Sequence, residues 1–501
     1  MVAPKVKHRQ VKALELLVLI IVALFLGRLI LLQVVDGSYY RTLADENRVK
    51  LTIQPADRGV IYDRHGEVLA RNAPSGREYV LGPAAAHVLG YVATVSQEQW
   101  ITCRQSSDCD YWFGETIGQL GLESFYDDKL RGDAGAVIAE NSASGETLRE
   151  IGRTTPVAGE NITTTLDLGL QRKAYELLKN QKGALIASIP QTGEILALVS
   201  SPAFDPGKVA LSLNHPDLPL FDRAIGGSYP PGSVFKIVTA TAALQEDKIN
   251  ADTLIEDTGE LRVGAFRYGN WYFDQYGRKE GMLNLVRAIA RSNDIFFYQL
   301  GERLGIKHLS DWAKYFGVGK ITGIDLAGEG AGLMPDEEWK LNYFKERWFL
   351  GDTYISAIGQ GNILMTPLQV NQMVNVVAAD GVWCRPHLIK DTPPDCLKLN
   401  IDDKNLSLVK EGLKQVTETG GTAYPFFNFA VNGKTISVAG KTGTAEFGDP
   451  DDKTHAWFTV MAPFDEPQIS VTVLLEAAGE GSEKASPVAK DLLTYWFSRQ
   501  P

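Results

Sequence analysis

Outside its first dozen residues the 501-residue chain has no stripe or cluster of lysine and arginine, and its formal charge is −11. A polyanionic partner requires positive charge concentrated on one surface, so this shortage argues against nucleic-acid binding. Low-complexity stretches and tandem repeats are also missing, and hydrophobic (44%) and charged (22%) fractions near ordinary usage argue against wholesale disorder. Cysteine is scarce, with four in all and none beside other metal ligands. Cys103 and Cys109 flank one short polar loop, and Cys384 and Cys396 flank another holding Pro386, Pro393 and Pro394. Four cysteines allow three connectivities; sequential pairing closes the smallest loops, with free structural thiols as the alternative.

Long apolar runs are equally few. The clear one, Leu16 to Val35, follows Lys5, Lys7, Arg9 and Lys12. About 20 apolar residues suit one membrane crossing, and a cationic flank stays cytoplasmic, which sets the rest of the chain outside. A cleaved secretory signal is the rival, but the run exceeds the usual apolar core of about 7–15 residues and lacks an A-x-A-like site. The expected order is a cytoplasmic tail over 1–13 and a transmembrane helix over 14–35, with Arg28 and Gln33 as polar residues inside the span. The remaining length exceeds one ordinary core, so at least two folded units should follow.

From Arg48 to Leu69 the alternation of Val49, Leu51 and Ile53, then the turn Arg64-His65-Gly66, predicts two short strands. Gly121 to Gly132 reads as a short helix closed by glycine. A second unit begins near Asn161, where Asp167 is placed to cap a helix through Leu170, Ala174 and Leu178. Ala184 to Pro190 and Glu194 to Ser200 form a hairpin about Gln191-Thr-Gly. Strands are expected again at Ile436 to Ala439, Ala456 to Met461 and Ile469 to Glu476, before a final amphipathic helix from Pro487 to Phe497. Strands at both ends with helices between predict an α+β fold whose ends meet in one sheet.

Three short patterns carry chemistry: Ser233-Val-Phe-Lys236, Ser292-Asn-Asp294 and Lys441-Thr-Gly-Thr444. Each alone is weak, since the first type recurs at Ser407-Leu-Val-Lys410 and the second at Ser106-Ser-Asp108. Context separates them. Ser233 follows Tyr229-Pro-Pro-Gly232 and opens the apolar stretch Val234 to Leu244, so Ser233 and Lys236 share one helical face at a helix N-terminus. A serine hydroxyl needs a base, and lysine serves as one only when burial or a nearby cation lowers its pKa. Phe235 and Ile237 offer the burial and Lys441 the cation. Ser292 is suited to relay a proton and Asp294 to order the network, although the same residues also fit a helix cap. Lys441 and Thr442 are expected to meet a carboxylate, Gly443 to admit a neighbouring backbone, and the Thr444 amide to join the Ser233 amide as an oxyanion hole. Gly433-Lys434-Thr435 and Gly440-Lys441-Thr442 suggest a phosphate loop, but neither completes G-x-x-x-x-G-K-[ST].

In this order the three patterns resemble the penicillin-binding and serine β-lactamase superfamily. The chain further resembles class B penicillin-binding proteins through Arg58-Gly-Val-Ile-Tyr-Asp-Arg64, Gly121-Leu-Glu-Ser-Phe-Tyr126, Thr165-Leu-Asp-Leu168, Ser201-Pro-Ala-Phe-Asp-Pro206, Gly359-Gln-Gly361, Thr366-Pro-Leu-Gln369 and His455-Ala-Trp-Phe458. The resemblance implies a β-rich, non-catalytic pedestal over 36–157 and a transpeptidase domain over 158–501. It implies a peptidoglycan D,D-transpeptidase that cross-links stem peptides through a Ser233 acyl-enzyme, with β-lactams acylating the same serine. Its implied partners are D-Ala-D-Ala donor and amine acceptor peptides and a membrane glycan polymerase of the SEDS family, with no cofactor. Two features depart from the common pattern. Asp294 stands where many relatives have asparagine, which, with Asp294-Ile-Phe-Phe-Tyr-Gln299, resembles elongation-type members of the penicillin-binding protein 2 kind. The stretch Asn72 to Gly121 is short, implying a reduced head. Alternatives of the same family are a septal transpeptidase, a D,D-carboxypeptidase or β-lactamase, and a scaffold that activates the polymerase.

Overall fold

The computed structural model describes residues 8–106, 109–142, 144 and 146–500. Lys5 and Lys7 of the cationic flank, and Ser107 and Asp108 of the second S-x-D match, lie outside them. The apolar run forms an α-helix from His8 to Ile30 that continues as a π-helical turn, Leu31–Val35, together long and apolar enough to cross a membrane. Leu24 and Phe25 on this helix are 68% and 70% exposed, a surface that suits lipid rather than water.

The chain forms two compact units, Met1–Arg58 with Arg131–Gly159, and Gly59–Leu130 with Glu160–Pro501. In the first, the helix Gly37–Arg48 leads into a three-stranded antiparallel sheet ordered Val49–Gln54, Gly135–Asn141, Thr147–Thr154. Its register sets Leu51 opposite Ile138 and Ile53 opposite Ala136. The chain alternation therefore predicts the strand correctly, and the pairing partner comes from far along the sequence.

In the second unit a five-stranded antiparallel sheet runs Ile195–Ser201, Gly183–Ser188, Ile469–Leu475, Thr454–Ala462, Ala439–Glu446. The ends of this unit meet in one sheet, as expected, through the pairing of Gly183–Ser188 with Ile469–Leu475. The helices Leu168–Leu178 and Ala485–Ser498 and the wholly buried helix Pro367–Ala378 pack on it. Burial on both faces explains why the first two strands are continuous apolar runs rather than alternating ones. Asn371 and Asn375 of the buried helix need partners, and bond Ser188, Ser470 and Thr472 of the sheet.

Two local expectations shift. The strand expected from Ile436 begins at Ala439. Gly121 to Gly132 holds two short helices, Gly121–Phe125 and Asp127–Arg131, ended by Gly132 at φ +69°. Residues 59–130 share a core with the five-stranded sheet, since Ile61, Leu69, Leu89 and Leu122 cluster with Ile186, Leu198 and Leu368. The cysteines pair sequentially, Cys103 with Cys109 and Cys384 with Cys396.

Asp167 caps its helix as expected, accepting from Leu170 N at 2.8 Å, and also takes a bidentate pair from Arg499 at 2.9 and 2.8 Å. Burial raises the Asp167 pKa, but the Arg499 and Leu170 bonds outweigh it and hold the carboxyl below its usual value. A depressed carboxyl stabilises the fold above its unfolded pKa and loses that contribution as pH falls. Arg499→Ala is therefore expected to cost about 1–2 kcal/mol at neutral pH, with Arg499's partial exposure tempering the value. The penalty should shrink below about pH 4. Thermal melts of both proteins from pH 3 to 8 check this.

Candidate active site

Ser233 lies in a 3₁₀ turn, Gly232–Phe235, that passes directly into the α-helix Lys236–Gln245. The turn is held by its neighbours. Gly232 adopts φ +56° and donates its N–H to Gly359 O at 2.8 Å, while Trp457 Nε1 donates to Pro230 O at 2.9 Å. A Cβ on Gly359 would stand 2.2 Å from Gly232 O, so only glycine lets these two backbones meet. Half-buried Ser233 thus faces a cleft of about 450 Å³ also lined by Ser292, Asp294, Thr442, Gly443 and Thr444.

Behind the cleft two lysines converge. Lys236, 0% exposed, directs Nζ to Asp294 Oδ1 at 2.7 Å, Ser292 O at 2.8 Å and Ser292 Oγ at 3.3 Å. Lys441, also 0% exposed, donates to the same Ser292 Oγ at 2.8 Å and to Thr442 O at 3.0 Å. Ser292 adopts φ +54° between the helices Leu285–Arg291 and Asp294–Tyr315, a left-handed residue in a tight connection. Asn293, rather than Ser292 or Asp294, caps the following helix by accepting from Phe296 N at 2.9 Å. That frees the hydroxyl and the carboxylate for the lysines.

Burial lowers the Lys236 pKa and Asp294 opposes the shift. Burial, then repulsion from Lys236, pushes Lys441 well below its ordinary value. The expectation was that Lys441 lowers Lys236. The repulsion between the two ammonium groups is mutual, and the Asp294 carboxylate opposes the lowering at both. Lys441 is not among the residues that line the cleft; its ammonium ends on Ser292. Thr442 does line the cleft, with Oγ1 2.7 Å from Thr422 Oγ1.

Gly443 works as expected in kind, since a Cβ there would lie 3.1 Å from Pro231 O and 2.9 Å from Trp457 Cβ. The approaching backbone is that of the Ser233 turn. Thr444 is exposed on the strand Ala439–Glu446, which is the edge of the sheet, and its carbonyl accepts from Gln360 Nε2 at 3.3 Å. The second S-x-x-K match is different in every respect. Ser407 is exposed in the helix Asp403–Val416 and donates to Asp403 O at 2.7 Å, and Lys410 pairs with Asp380.

The sequence motifs did not mark Asn270 and Trp271 as site residues. Trp271 N donates to Asp294 Oδ2 at 3.2 Å, and Asn270 Oδ1 accepts from Asp294 N at 3.1 Å. Asn270 has the position of an N-cap to the helix Trp271–Tyr276, yet its side chain does not cap that helix. The local signal was present and suggested the wrong bond.

Residues 183–494 match the family described as Penicillin binding protein transpeptidase domain, and residues 74–164 that described as Penicillin-binding Protein dimerisation domain. Peptidoglycan D,D-transpeptidase MrdA of Haemophilus influenzae is 31% identical over 586 aligned positions, covering 94% of this chain and 88% of that protein. The structure resembles Pseudomonas aeruginosa PBP2 in complex with WCK 5153 with a TM-score of 0.78 at 33% identity, over 90% of this chain and 97% of that one. It also resembles a chain from a study of structural coordination of polymerization and crosslinking by a peptidoglycan synthase complex. There the TM-score is 0.79 at 28% identity, over 98% of this chain and 99% of the other.

Proposed function

Because this chain belongs to the penicillin-binding protein transpeptidase family and is a peptidoglycan D,D-transpeptidase, we propose that Ser233 is its nucleophile and Lys236 the base that activates it. The observation that carries this reading is the convergence of two wholly buried lysines on Ser292 Oγ, at 3.3 and 2.8 Å, beside the cleft that Ser233 lines. Buried amines give up their protons more readily, so a lysine here can act as a base where a surface lysine cannot.

Ser233 Oγ attacks the carbonyl of the donor D-Ala-D-Ala bond while Lys236 accepts the hydroxyl proton, forming an acyl-enzyme. Ser292, bonded to both lysines, passes the proton toward the departing D-alanine amine. An acceptor amine then attacks the acyl carbonyl, gives up its proton to the same network, and restores Ser233. The Ser233 and Thr444 amides stabilise the oxyanion in both steps, a contribution of about 3–4 kcal/mol per donor in comparable sites. The edge strand holds the donor peptide alongside Gly443 and Thr444, displacing the Gln360 side chain from Thr444 O, with the Thr442 hydroxyl toward its carboxylate. Lys441 acts on that carboxylate through its field and on Ser292 by contact. β-Lactams enter as donor mimics and acylate Ser233.

Matches over 74–164 and 183–494 support reading 36–157 as the pedestal and 158–501 as the transpeptidase domain. The acid at Asp294 and the MrdA relative support a role in elongation rather than division. The N-terminal helix supports single-pass anchorage with its N-terminus inside, and Arg28 and Gln33 on it suit contact with a SEDS-family polymerase in the membrane. The test of the central reading is mass spectrometry of the intact protein after penicillin treatment, followed by peptide mapping. One adduct, on the peptide containing Ser233, is expected; an adduct elsewhere would falsify the assignment.

A further inference from the structure

The segment Ile255–Leu283 leaves the transpeptidase core and returns to it as an arm, its first and last strands paired to each other (Ile255–Asp257 with Gly281–Leu283). Between them come the hairpin Glu260–Val263 with Phe266–Gly269 and the short helix Trp271–Tyr276. The arm contains none of the three motifs, yet two of its residues grip Asp294. Trp271 N bonds Oδ2, which fixes the rotation of the carboxylate and leaves Oδ1 directed at Lys236 Nζ. Asn270 Oδ1 takes the Asp294 N–H, one of the donors a helix start leaves without an intrahelical partner.

Asn270 is 0% exposed, and its other side-chain atom donates to Asp257 Oδ2 at 3.1 Å. Asp257, 1% exposed, is tied to the arm's own backbone through Gly259 N and Glu280 N, each at 2.9 Å. A third link joins Trp271 Nε1 to Arg291 O at 3.0 Å, two positions before Asn293. A buried amide with both ends bonded cannot move without leaving polar groups unsatisfied, so the arm and the Asp294 helix start move together.

We infer that the arm is a positioning element for the Lys236–Asp294 pair, and that Asn270 is the residue through which it acts. The inference rests on the reading of Lys236 as the proton acceptor. Lys236 is faced by the Asp294 carboxylate, by Ser292 O and Oγ, by the Phe297 ring at 5.2 Å, and across Ser292 by Lys441. Asp294 in turn faces Tyr298, whose hydroxyl is raised first by burial and then by that carboxylate. Of the groups facing Lys236, only Asp294 is anionic. Acylation requires neutral Lys236, so its rate climbs with pH through the Lys236 pKa. Asp294 raises that pKa; loosening its grip moves the climb to lower pH.

The test is the rate constant for acylation by a fluorescent penicillin, measured across pH on the full-length protein in detergent. Wild type, Asp294→Asn, Asn270→Ala and the double variant are compared. Both single variants are expected to move the midpoint to lower pH, by about one unit for Asp294→Asn, a tenfold change in proton affinity. The double variant should move no further than Asp294→Asn alone. A wild-type midpoint in Asn270→Ala beside a shifted one in Asp294→Asn overturns the inference, even if the rate falls, because a purely structural role lowers amplitude without moving a midpoint. A wild-type midpoint in Asp294→Asn overturns the reading of Lys236 and the inference with it. Should Asn270→Ala not fold, Asn270→Ser keeps a polar side chain too short for both the Asp294 N and Asp257 bonds; a shift in the same direction supports the inference and an unmoved midpoint overturns it.

Discussion

Ser233→Ala is expected to abolish covalent labelling by a fluorescent penicillin while leaving the thermal midpoint close to that of the parent protein. The two halves of this result have separate causes. Covalent capture needs an oxygen nucleophile in the cleft, and alanine offers none, so labelling falls to background rather than by a partial factor. Stability is spared because the polar network behind the cleft is complete without the Ser233 hydroxyl. Lys236 keeps Asp294 Oδ1, Ser292 O and Ser292 Oγ, and Lys441 keeps Ser292 Oγ and Thr442 O. The Gly232–Gly359 and Trp457–Pro230 bonds that shape the turn are also independent of the hydroxyl. Reversible binding of the drug should therefore persist, visible as displacement of a non-covalent ligand. Labelling that survives in this variant would move the nucleophile elsewhere.

Lys236→Met is expected to slow acylation by about 10²–10⁴-fold, the usual contribution of a positioned general base. It should also destabilise the protein, which Ser233→Ala does not. Removing the cation strands the Asp294 carboxylate, whose side chain is 13% exposed, and breaking such a pair typically costs about 3–5 kcal/mol. The cost should fall toward the low end, because Trp271 N still bonds Oδ2. Adding Asp294→Asn removes the stranded charge, so the double variant should recover most of the stability and none of the rate. Urea unfolding and labelling kinetics on the same three proteins separate these outcomes. A Lys236→Met protein acylated at the parent rate would pass the base role to Lys441, the other buried amine on Ser292.

The sequence carried much of the local structure because local structure follows from neighbours in the chain. Asp167 before Leu170 announces a cap, and the cap forms. Ser233 and Lys236 were readable as one helical face because an apolar stretch follows them, and that same context distinguished them from Ser407 and Lys410. Where a local rule failed, a distant partner had displaced it. Asn270 occupies a capping position, but the start of the Asp294 helix takes its side chain instead. Lys441 was expected to stand near Lys236 and to meet a carboxylate; its ammonium bonds the Ser292 hydroxyl that Lys236 also bonds.

The sequence by itself determined the apolar N-terminal helix, the α+β character and which serine to examine, because each depends on spacing or periodicity; it left the cysteine pairing open, and the structure closes both short loops. Only the tertiary structure decided which lysine holds the carboxylate, that both lysines meet at Ser292, and that an arm without a motif grips Asp294. Those outcomes depend on burial and on hydrogen bonds between residues far apart in the chain. Neither leaves a periodic trace, so they exist only once the sheet and its helices have brought Lys236, Asn270, Ser292 and Lys441 together.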